Sequence, residues 1–493
     1  MSTEPAERAR IVIIGAGFAG LGMAVRLKQA GIHDFVVLER AGDVGGTWRD
    51  NSYPGCAVDV QSHLYSFSFA PNPDWTHVYA PQGEIWAYIK DVCEAHDVMG
   101  HVRFGHEVTS GDWDDAAQRW WVRTTAGGFE AQVLISGMGP LSNPVPPDIP
   151  GLETFAGHSF HSARWDHDHD LAGQRVAVIG TGSSAAQFIP EIQPEVAELF
   201  VFQRTPGWTF PRMNRRITGL ERAVYRRWPL VQRAVRTRQY LYRELVGFCV
   251  RHPGLIEPIS KARMRRQVPD PELRAKLTPN YRMGCKRIIV TDDFHPALAK
   301  PNVSVITSRI AEIRPTSILT EDGASHEVDT LILGTGFRVM PVADPLTGRD
   351  RTALAQRWAV RREAYLGTTV AGYPNYFMLV GPNTATGHTS ILLYLEAQIE
   401  YIVKVLGHLD RVGASSLEVR PEVQDGFNRD VRERLAASVW TDGGCRSWYL
   451  DPDGGTSVLW PGYTWRFRRA LRTFDPGEYT FVARRREPAS VAS

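Results

Sequence analysis

The sequence is poor in cysteine, with five residues among 493. Their number is odd and their positions are far apart: Cys56, Cys93, Cys249, Cys285 and Cys445. No Cys-x-x-Cys pair and no cluster of cysteine with histidine is present, so neither a disulfide framework nor a zinc site is predicted. We therefore expect reduced thiols, no metal and a cytoplasmic location.

Long apolar runs and an excess of charge are also missing. No run of about 18 apolar residues occurs, and the N-terminus is polar and charged, so neither a transmembrane segment nor a signal peptide is expected. The formal net charge of +2 is too small to indicate nucleic acid as a partner. These absences predict a soluble protein. The length of the chain is sufficient for two or three domains, and the sequence does not indicate an oligomeric state.

Glycine, by contrast, occurs in two ordered motifs. In the first, the apolar run 11–14 leads into Gly-Ala-Gly-Phe-Ala-Gly at 15–20, a helical pattern, the apolar run 35–38 and an acid. This order predicts a βαβ dinucleotide site, with the pyrophosphate at the helix N-terminus and a ribose on the acid. The predicted contacts are Gly15, Gly17, Phe18, Ala19, Gly20, Glu39 and Arg40.

A second glycine pair, in Gly45-Gly46-Thr47-Trp48, follows the acid closely and is typical of flavoproteins. The run 329–337 is interpreted as a late strand whose glycine turn returns the chain to the same nucleotide. Together these stretches favour FAD over NAD in the first site. They add Gly46, Thr47, Trp48 and Gly336 to its predicted contacts.

The second motif, Gly-Thr-Gly-Ser-Ser-Ala at 180–185, also follows an apolar run and precedes a helical pattern. In the first unit the acid stands 24 residues after the first glycine, and the same count here reaches Arg204. A cation in that place favours the 2′-phosphate of NADPH, although an exposed arginine at a strand end is the alternative. The predicted contacts are Gly180, Thr181, Gly182, Ser183, Ser184, Arg204 and Thr205.

These motifs predict an α/β fold of two Rossmann-like dinucleotide-binding domains, the second inserted in the first. The FAD domain is assigned to 1–150 and 325–485, a linker to 151–168, the NADPH domain to 169–324, and a disordered tail to 486–493. A helical, arginine-rich insertion interrupts the second domain at about 212–280. We interpret it as a solvated insertion that shapes the cleft, with a basic membrane-surface face as the alternative.

Two fingerprints carry a family resemblance. Gly45-Gly46-Thr47-Trp48, then Tyr53-Pro54-Gly55, then Asp59, resembles the FAD-side fingerprint of type I Baeyer–Villiger monooxygenases. The linker fingerprint of that family is matched by five residues: Phe155, Gly157, His161, Trp165 and Asp166. Related flavin monooxygenases that oxidise nitrogen or sulfur usually lack the ending formed by the last two.

The resemblance implies that a ketone and O2 are converted to an ester or lactone. NADPH reduces FAD, O2 adds at flavin C4a, and the anionic peroxyflavin attacks the carbonyl. Two alternatives stay open: a flavin monooxygenase that oxidises nitrogen or sulfur, and a non-catalytic nucleotide-binding protein.

The resemblance also implies roles for single residues. Arg287 stabilises the peroxyflavin and the later oxyanion, Asp59 orients Arg287, and Lys286 joins Arg204 on the 2′-phosphate. His161 is interpreted as a hinge residue and not a base, and Trp165 as a packing wedge. The remaining predicted cofactor contacts are Tyr53, Asp59, Val60, Tyr65 and Asn383.

Two further stretches bear on the substrate. The aromatic residues Trp440, Trp448 and Tyr449 are expected to line the substrate pocket or, equally, to belong to the core. The run Cys56-Ala57-Val58-Asp59 departs from the arginine and cysteine that many family members carry before the aspartate. This departure indicates a branch distant from the cyclohexanone and phenylacetone types and puts small cyclic ketones in doubt.

Overall fold

The computed structural model describes residues 7–338 and 344–484. Its strands are β1 (Glu7–Ile14), β2 (Phe35–Leu38), β3 (Val102–Arg103), β4 (Val108–Asp114), β5 (Arg119–Thr124), β6 (Gly127–Ser136), β7 (His158–His161), β8 (Arg175–Ile179), β9 (Glu198–Phe202), β10 (Thr209–Phe210), β11 (Ile289–Val290), β12 (Val303–Ile306), β13 (Ile310–Ile313), β14 (Ser317–Thr320), β15 (Ser325–Glu327), β16 (Thr330–Leu333), β17 (Leu346–Thr347), β18 (Tyr376–Met378), β19 (Ala414–Val419) and β20 (Tyr479–Ala483).

The α-helices are α1 (Phe18–Gln29), α2 (Thr47–Asp50), α3 (Gln82–Ala95), α4 (Ala185–Ile192), α5 (Gly219–Arg227), α6 (Pro229–Arg251), α7 (Glu257–Gln267), α8 (Pro271–Leu277), α9 (Phe294–Leu298), α10 (Leu354–Arg357), α11 (Ile391–Val412), α12 (Pro421–Ala436), α13 (Val439–Asp442) and α14 (Thr464–Ala470). None of the helices in the described ranges is long and apolar enough to cross a membrane. The cytoplasmic location stays a prediction, and the predicted disordered tail lies outside the described residues.

The first sheet is built around β1, the strand that precedes the first glycine motif. Its strand order is β17-β4-β5-β6-β1-β2-β3, with β18 paired to β6. Strands β2 and β6 run parallel to β1, whereas β4, β5 and β6 form an antiparallel meander. Residues 11–14 of β1 are buried because both faces of the sheet are covered. The predicted βαβ unit is confirmed.

The second sheet is wholly parallel, in the order β12-β9-β8-β16-β7. The assignment of the run 329–337 to the FAD domain is wrong, because β16 pairs with β8 and β7 in this sheet. Its glycine turn packs on the second motif: a Cβ at Gly180 would lie 2.4 Å from the carbonyl oxygen of Gly334. A short buried strand followed by glycine does not show which of two similar sheets it joins.

The linker fingerprint is part of the second sheet and not a free joint. Its strand β7 forms the edge beside β16. A Cβ at Gly157 would lie 2.3 Å from the carbonyl oxygen of Asp329, so this close approach requires glycine. Trp165 then packs on Phe160 and on Phe188 of α4, with ring centroids 5.1 and 5.2 Å apart.

One disulfide joins Cys285 to Cys445 across 160 residues of chain, with a Cα–Cα distance of 6.1 Å. The expectation of reduced thiols is therefore wrong for these two cysteines and stands for Cys56, Cys93 and Cys249. Spacing along the chain could not reveal the pair, because the two cysteines meet only when the end of the helical insertion packs on the C-terminal region.

Removal of the disulfide should lower the thermal stability of the FAD-bound protein. In the chain-entropy account a cross-link over a long loop contributes about 2–4 kcal/mol, so Cys285→Ser and Cys445→Ser should each lower the melting temperature by similar amounts, as should reductant. Cys249→Ser, which alters a free cysteine, is the control. Thiol titration of the denatured, unreduced protein should give three free thiols, and five would contradict the bond.

Candidate active site

The first glycine turn is shaped for close approach of a pyrophosphate. Gly15 has φ +92°, and a Cβ at Gly20 would lie 1.9 Å from the carbonyl oxygen of Gly15. A Cβ at Gly17 would have only the Cα of Gly46 within 4 Å, at 3.8 Å, so the outer side of the turn is open. Helix α1 begins directly after it, with no acidic residue in its first turn. Free backbone N–H groups therefore face the place that a phosphate takes.

Glu39 lies against this turn as the sequence predicted. Its carboxylate is buried and accepts hydrogen bonds from the backbone N–H groups of Ala16, at 2.8 Å, and Ala41, at 3.0 Å. Arg49 forms an ion pair with it at 3.2 Å. Arg40, in contrast, is exposed and donates to Asn143 at 2.9 Å, on the outside of the turn.

The second glycine pair meets the first. The backbone N–H of Gly45 donates to the carbonyl of Ala16 at 2.8 Å, which brings α2 next to the start of α1. Phe18, Trp48 and Tyr65 form an aromatic wall there, with the Trp48 indole N–H donating to the Tyr65 hydroxyl at 3.0 Å. Most of the residues predicted for the FAD site thus come together around one turn, which a flat, phosphate-bearing dinucleotide fits. Gly336 does not join them, because it follows β16 in the second sheet.

Arg287 and Asp59 form an ion pair over the 228 residues that separate them. The guanidinium donates twice to one carboxylate oxygen, from Nη2 at 2.5 Å and Nε at 3.1 Å. Burial is the largest single effect and opposes ionisation of Asp59, but the charge and hydrogen bond of Arg287, with the charge of Arg243, together hold the carboxyl pKa below its usual range. The carboxylate in turn raises the pKa of Arg287. Both groups are therefore charged at physiological pH.

Two further residues lie against this pair, and one of them, Arg243, was not identified from the sequence. Arg243, on α6, is buried and donates to the backbone carbonyl of Asp59 at 2.9 Å and to the side chain of Gln61 at 2.7 Å. Tyr449 is buried beside Arg287; burial raises the pKa of its hydroxyl, and the positive charge of Arg287 opposes that rise. Nothing distinguishes Arg243 from the other arginines of the insertion in the sequence.

A cavity lies in front of the Arg287 guanidinium. Helix α6 forms much of one wall, which includes Tyr242, Leu245, Val246 and Val250, and the other walls carry Val60, Tyr79, Phe210, Ile256, Ile288 and His388. Burial, with Arg251 and Arg243 nearby, lowers the pKa of His388 to about 3, so this histidine is neutral at physiological pH. The lining is mostly apolar, and Arg287, Arg243 and Asp59 supply its charged groups. The helical insertion thus shapes the cleft as the sequence predicted.

The second glycine turn presents two cations to a phosphate. Gly180 has φ +109°, and α4 begins a few residues later, after Thr181, Ser183 and Ser184. Arg204 is exposed just beyond the end of β9. Burial, and then the charge of Arg204, lower the pKa of Lys286, so the two cations lie close enough to repel each other. The repulsion between two such cations is relieved when a doubly charged phosphate lies between them.

The two glycine turns are connected through Tyr53 and α4. The Tyr53 hydroxyl donates to the side chain of Gln187 at 3.0 Å, and the same amide bonds the backbone of Ala57 in both directions. A Cβ at Gly55 would lie 2.8 Å from the carbonyl oxygen of Gln187. The Tyr-Pro-Gly part of the first fingerprint therefore sets how closely the second domain approaches the Asp59 segment.

His161 has the contacts of a structural residue. Its Nδ1 accepts a hydrogen bond from the N–H of Ala163 at 3.0 Å, and burial lowers its pKa. Its ring lies 6.0 Å from that of Phe337, next to the turn at Gly336. Asp166 accepts from His158 at 2.9 Å. These contacts join the linker to the β16 turn, and the hinge role of His161 stays a prediction.

The remaining predicted residues lie partly in the core and partly at the surface. The Asn383 side chain is buried and donates to the carbonyl of Leu459 at 3.1 Å, so it clamps two loops. Trp440 is buried and Trp448 is 44% exposed, and neither lines the cavity in front of Arg287. Of the three aromatic residues named for the pocket, only Tyr449 reaches the active-site pair.

Comparison with known proteins agrees with this geometry. The sequence model of the FMO-like family, described as flavin-binding monooxygenase-like, matches residues 8–344. The chain belongs to this family. A Baeyer–Villiger monooxygenase of Streptomyces coelicolor is 49% identical over 494 residues, which cover 99% of this chain and 95% of that protein. One of Pseudomonas aeruginosa is 46% identical, with 97% and 93% covered. The predicted resemblance is thereby confirmed.

Three solved structures have the same fold. Oxidised steroid monooxygenase bound to NADP superposes with a TM-score of 0.86 at 29% identity, and closed cyclohexanone monooxygenase with 0.83 at 29%. OTEMO in complex with FAD and NADP gives 0.86 at 25%. Each covers 97% of this chain and all of the other. The predicted α/β fold is confirmed, and the predicted cofactors, FAD and NADP, are the ones bound in these neighbours.

A methyl group at Gly17 should weaken FAD binding without unfolding the protein. The Cβ of Gly17→Ala meets the chain only at ordinary contact distance but points into the space that a pyrophosphate needs. We expect the FAD dissociation constant to rise by about tenfold or more, as for a lost charge-assisted contact. Titration of apoprotein with FAD measures it. Gly42→Ala, at an open position in the same loop region, is the control and should bind FAD normally.

Proposed function

We propose that this protein is an FAD- and NADPH-dependent Baeyer–Villiger monooxygenase. It inserts one oxygen atom of O2 next to a ketone carbonyl to give an ester or lactone, while NADPH supplies the two electrons that reduce the other oxygen atom to water. The observation that carries this proposal is the charged Asp59–Arg287 pair at the wall of a mostly apolar cavity, in a chain that has two dinucleotide turns.

Two sets of residues would hold the cofactors. The turn at Gly15, Gly17 and Gly20, with Glu39 behind it, suits the pyrophosphate and ribose of FAD, and the aromatic wall of Phe18, Trp48 and Tyr65 borders it. The turn at 180–185, with Arg204 and Lys286, suits NADPH. When bound and reduced, the flavin supplies the oxygen-activating chemistry.

Arg287 provides a fixed positive charge where negative charge develops during the reaction. A preorganised cation of this kind stabilises an anionic oxygen in the transition state and needs no reorganisation at that moment. Asp59 holds the guanidinium by two hydrogen bonds to one oxygen. Arg287 lines the cavity, and its Nη1 takes no part in the bonds to Asp59, so this nitrogen would be available to the reacting oxygen.

The cavity walls favour attack on a carbonyl over loss of the oxidant to water. Apolar side chains such as Val60, Val250 and Ile288 surround the guanidinium. A low-dielectric, water-poor site strengthens the attraction between Arg287 and an anion. His388 is neutral there, so it brings no competing charge. An apolar ketone is the substrate class that such walls would enclose.

The proposed activity is tested by NADPH consumption with linear, aryl, steroid-like and cyclic ketones, with products identified by mass spectrometry. Ester or lactone formed in proportion to NADPH supports the proposal. A matched sulfide panel tests the alternative of heteroatom oxidation. An enzyme that is active on sulfides and inactive on every ketone would refute the proposal.

Arg287→Ala should separate flavin reduction from oxygen transfer. Reduction of bound FAD by NADPH should persist, whereas ester formation should fall by about 100- to 1000-fold, the usual cost of one group that stabilises an oxyanion. Stopped-flow reduction and product yield measure the two steps. Arg287→Lys keeps the charge without the paired donors, so its ester formation should lie between that of the parent enzyme and that of Arg287→Ala. A normal ester yield from Arg287→Ala would remove Arg287 from this role.

Arg204→Ala should weaken NADPH use far more than NADH use. Loss of one charge-assisted bond to the 2′-phosphate should raise KM for NADPH by about 10- to 100-fold, because such bonds contribute about 1.5–3 kcal/mol. KM for NADH should change little, since NADH lacks that phosphate. Equal changes for both coenzymes would show that Arg204 does not contact the 2′-phosphate.

A further inference from the structure

Helix α6 carries apolar side chains on its outer face. Leu230, Leu241, Leu245 and Phe248 are 74%, 61%, 60% and 41% exposed. At 100° per residue these four positions fall within a sector of about 60°. A surface helix of a globular protein normally turns its apolar stripe toward the core, so the orientation of α6 is inverted.

The inner face of α6 is polar, and its contacts fix the orientation. Gln232, Gln239 and Arg243 are buried there. Gln232 donates to the carbonyl of Asn72 at 2.6 Å, and Arg243 makes the two active-site bonds given above. The helix therefore cannot rotate its leucines inward without breaking the contacts that hold the Asp59 segment.

The apolar exposure continues beyond α6. Of the 18 large hydrophobic side chains that are exposed in the described part of the chain, ten lie between residues 213 and 259. The six outside the α6 stripe are Met213, Leu220, Trp228, Val231, Leu255 and Ile259. Such a concentration on one segment marks a surface that contacts another apolar body.

The same segment is strongly basic. Residues 212–280 contain 17 arginine and lysine residues and five acidic ones, a formal charge of +12 in a chain whose total is +2, so the rest carries −10. On α6, Arg233 and Arg238 are exposed on the two flanks of the apolar stripe. An apolar stripe flanked by arginines is complementary to a partner that is apolar inside and anionic at its surface.

We propose that helices α5 to α7 dock this protein on an anionic lipid bilayer. Leu230, Leu241 and Phe248 enter the boundary of the acyl chains, and Arg233 and Arg238 bind lipid phosphates. A helix that lies in the plane of the membrane needs this combination of an apolar face and flanking cations. A second copy of the chain fits less well, because a symmetric contact through this face would set two basic surfaces against each other.

The docking surface adjoins the cavity. Leu245 belongs to the exposed stripe and also lines the cavity, and Tyr242, Val246 and Val250 line it from the inner side of the same helix. If the proposed function holds, a ketone dissolved in lipid would reach the site across the thickness of one helix. Docking itself depends only on the surface, and its test needs neither NADPH nor ketone.

The test is sedimentation of the full-length, FAD-loaded protein with vesicles. With phosphatidylcholine containing about 30% phosphatidylglycerol the protein should pellet, and with phosphatidylcholine alone it should stay in solution. About 0.5 M NaCl should release it, because salt screens the arginines. Leu230→Gln with Leu241→Gln should weaken binding about 10- to 100-fold, and Arg233→Gln with Arg238→Gln about tenfold or more.

Matched controls separate this surface from general stickiness. Val360→Gln with Val412→Gln changes two exposed valines elsewhere, and Arg411→Gln with Arg429→Gln changes two exposed arginines elsewhere; both pairs should bind like the parent. The proposal is overturned if the parent protein does not bind anionic vesicles, or if the variant Leu230→Gln with Leu241→Gln binds them as tightly as the parent. It is also overturned if ultracentrifugation without lipid shows a dimer that the leucine pair converts to a monomer, which would assign the surface to a second copy.

Discussion

The arrangement of this protein depends on the ion pair between Asp59 and Arg287. Both side chains are part-buried, 36% exposed for Arg287 and 26% for Asp59, and a charge that is partly removed from water is stabilised by a partner with good geometry. Each residue therefore requires the other, although one follows the first glycine pair and the other follows the helical insertion. The pair joins the segment after the helical insertion to the FAD-side fingerprint.

The inverted helix α6 follows from the same constraint. The Asp59 segment has a backbone carbonyl and the Gln61 side chain that need donors, and Arg243 on α6 supplies them. A helix that must present glutamine and arginine inward has its remaining apolar positions on the outside. The exposed leucines are thus linked to the active site by helical geometry, and a surface that could contact lipid arises next to the cavity.

Local motifs made the glycine turns, Glu39, the Arg204 position and the Asp59–Arg287 pair predictable, because each depends on short spacing or on a fingerprint. Tertiary contacts were not predictable. Strand β16 has the same buried, glycine-ended pattern in either sheet, and only its pairing with β8 decides between them. Arg243 looks like any arginine of a basic helix, and Cys285 and Cys445 are 160 residues apart.

The position of Arg287 is set less by its own strand than by two distant segments. Two residues before it, Cys285 is bonded to Cys445, and in the same C-terminal loop Tyr449 lies beside the guanidinium. On the other side the guanidinium is held by Asp59. The short stretch from the disulfide to the ion pair is thus fixed at both ends, by the C-terminal loop and by the FAD-side fingerprint. Because a fixed charge stabilises a developing anion better than a mobile one, this double attachment supports the role proposed for Arg287.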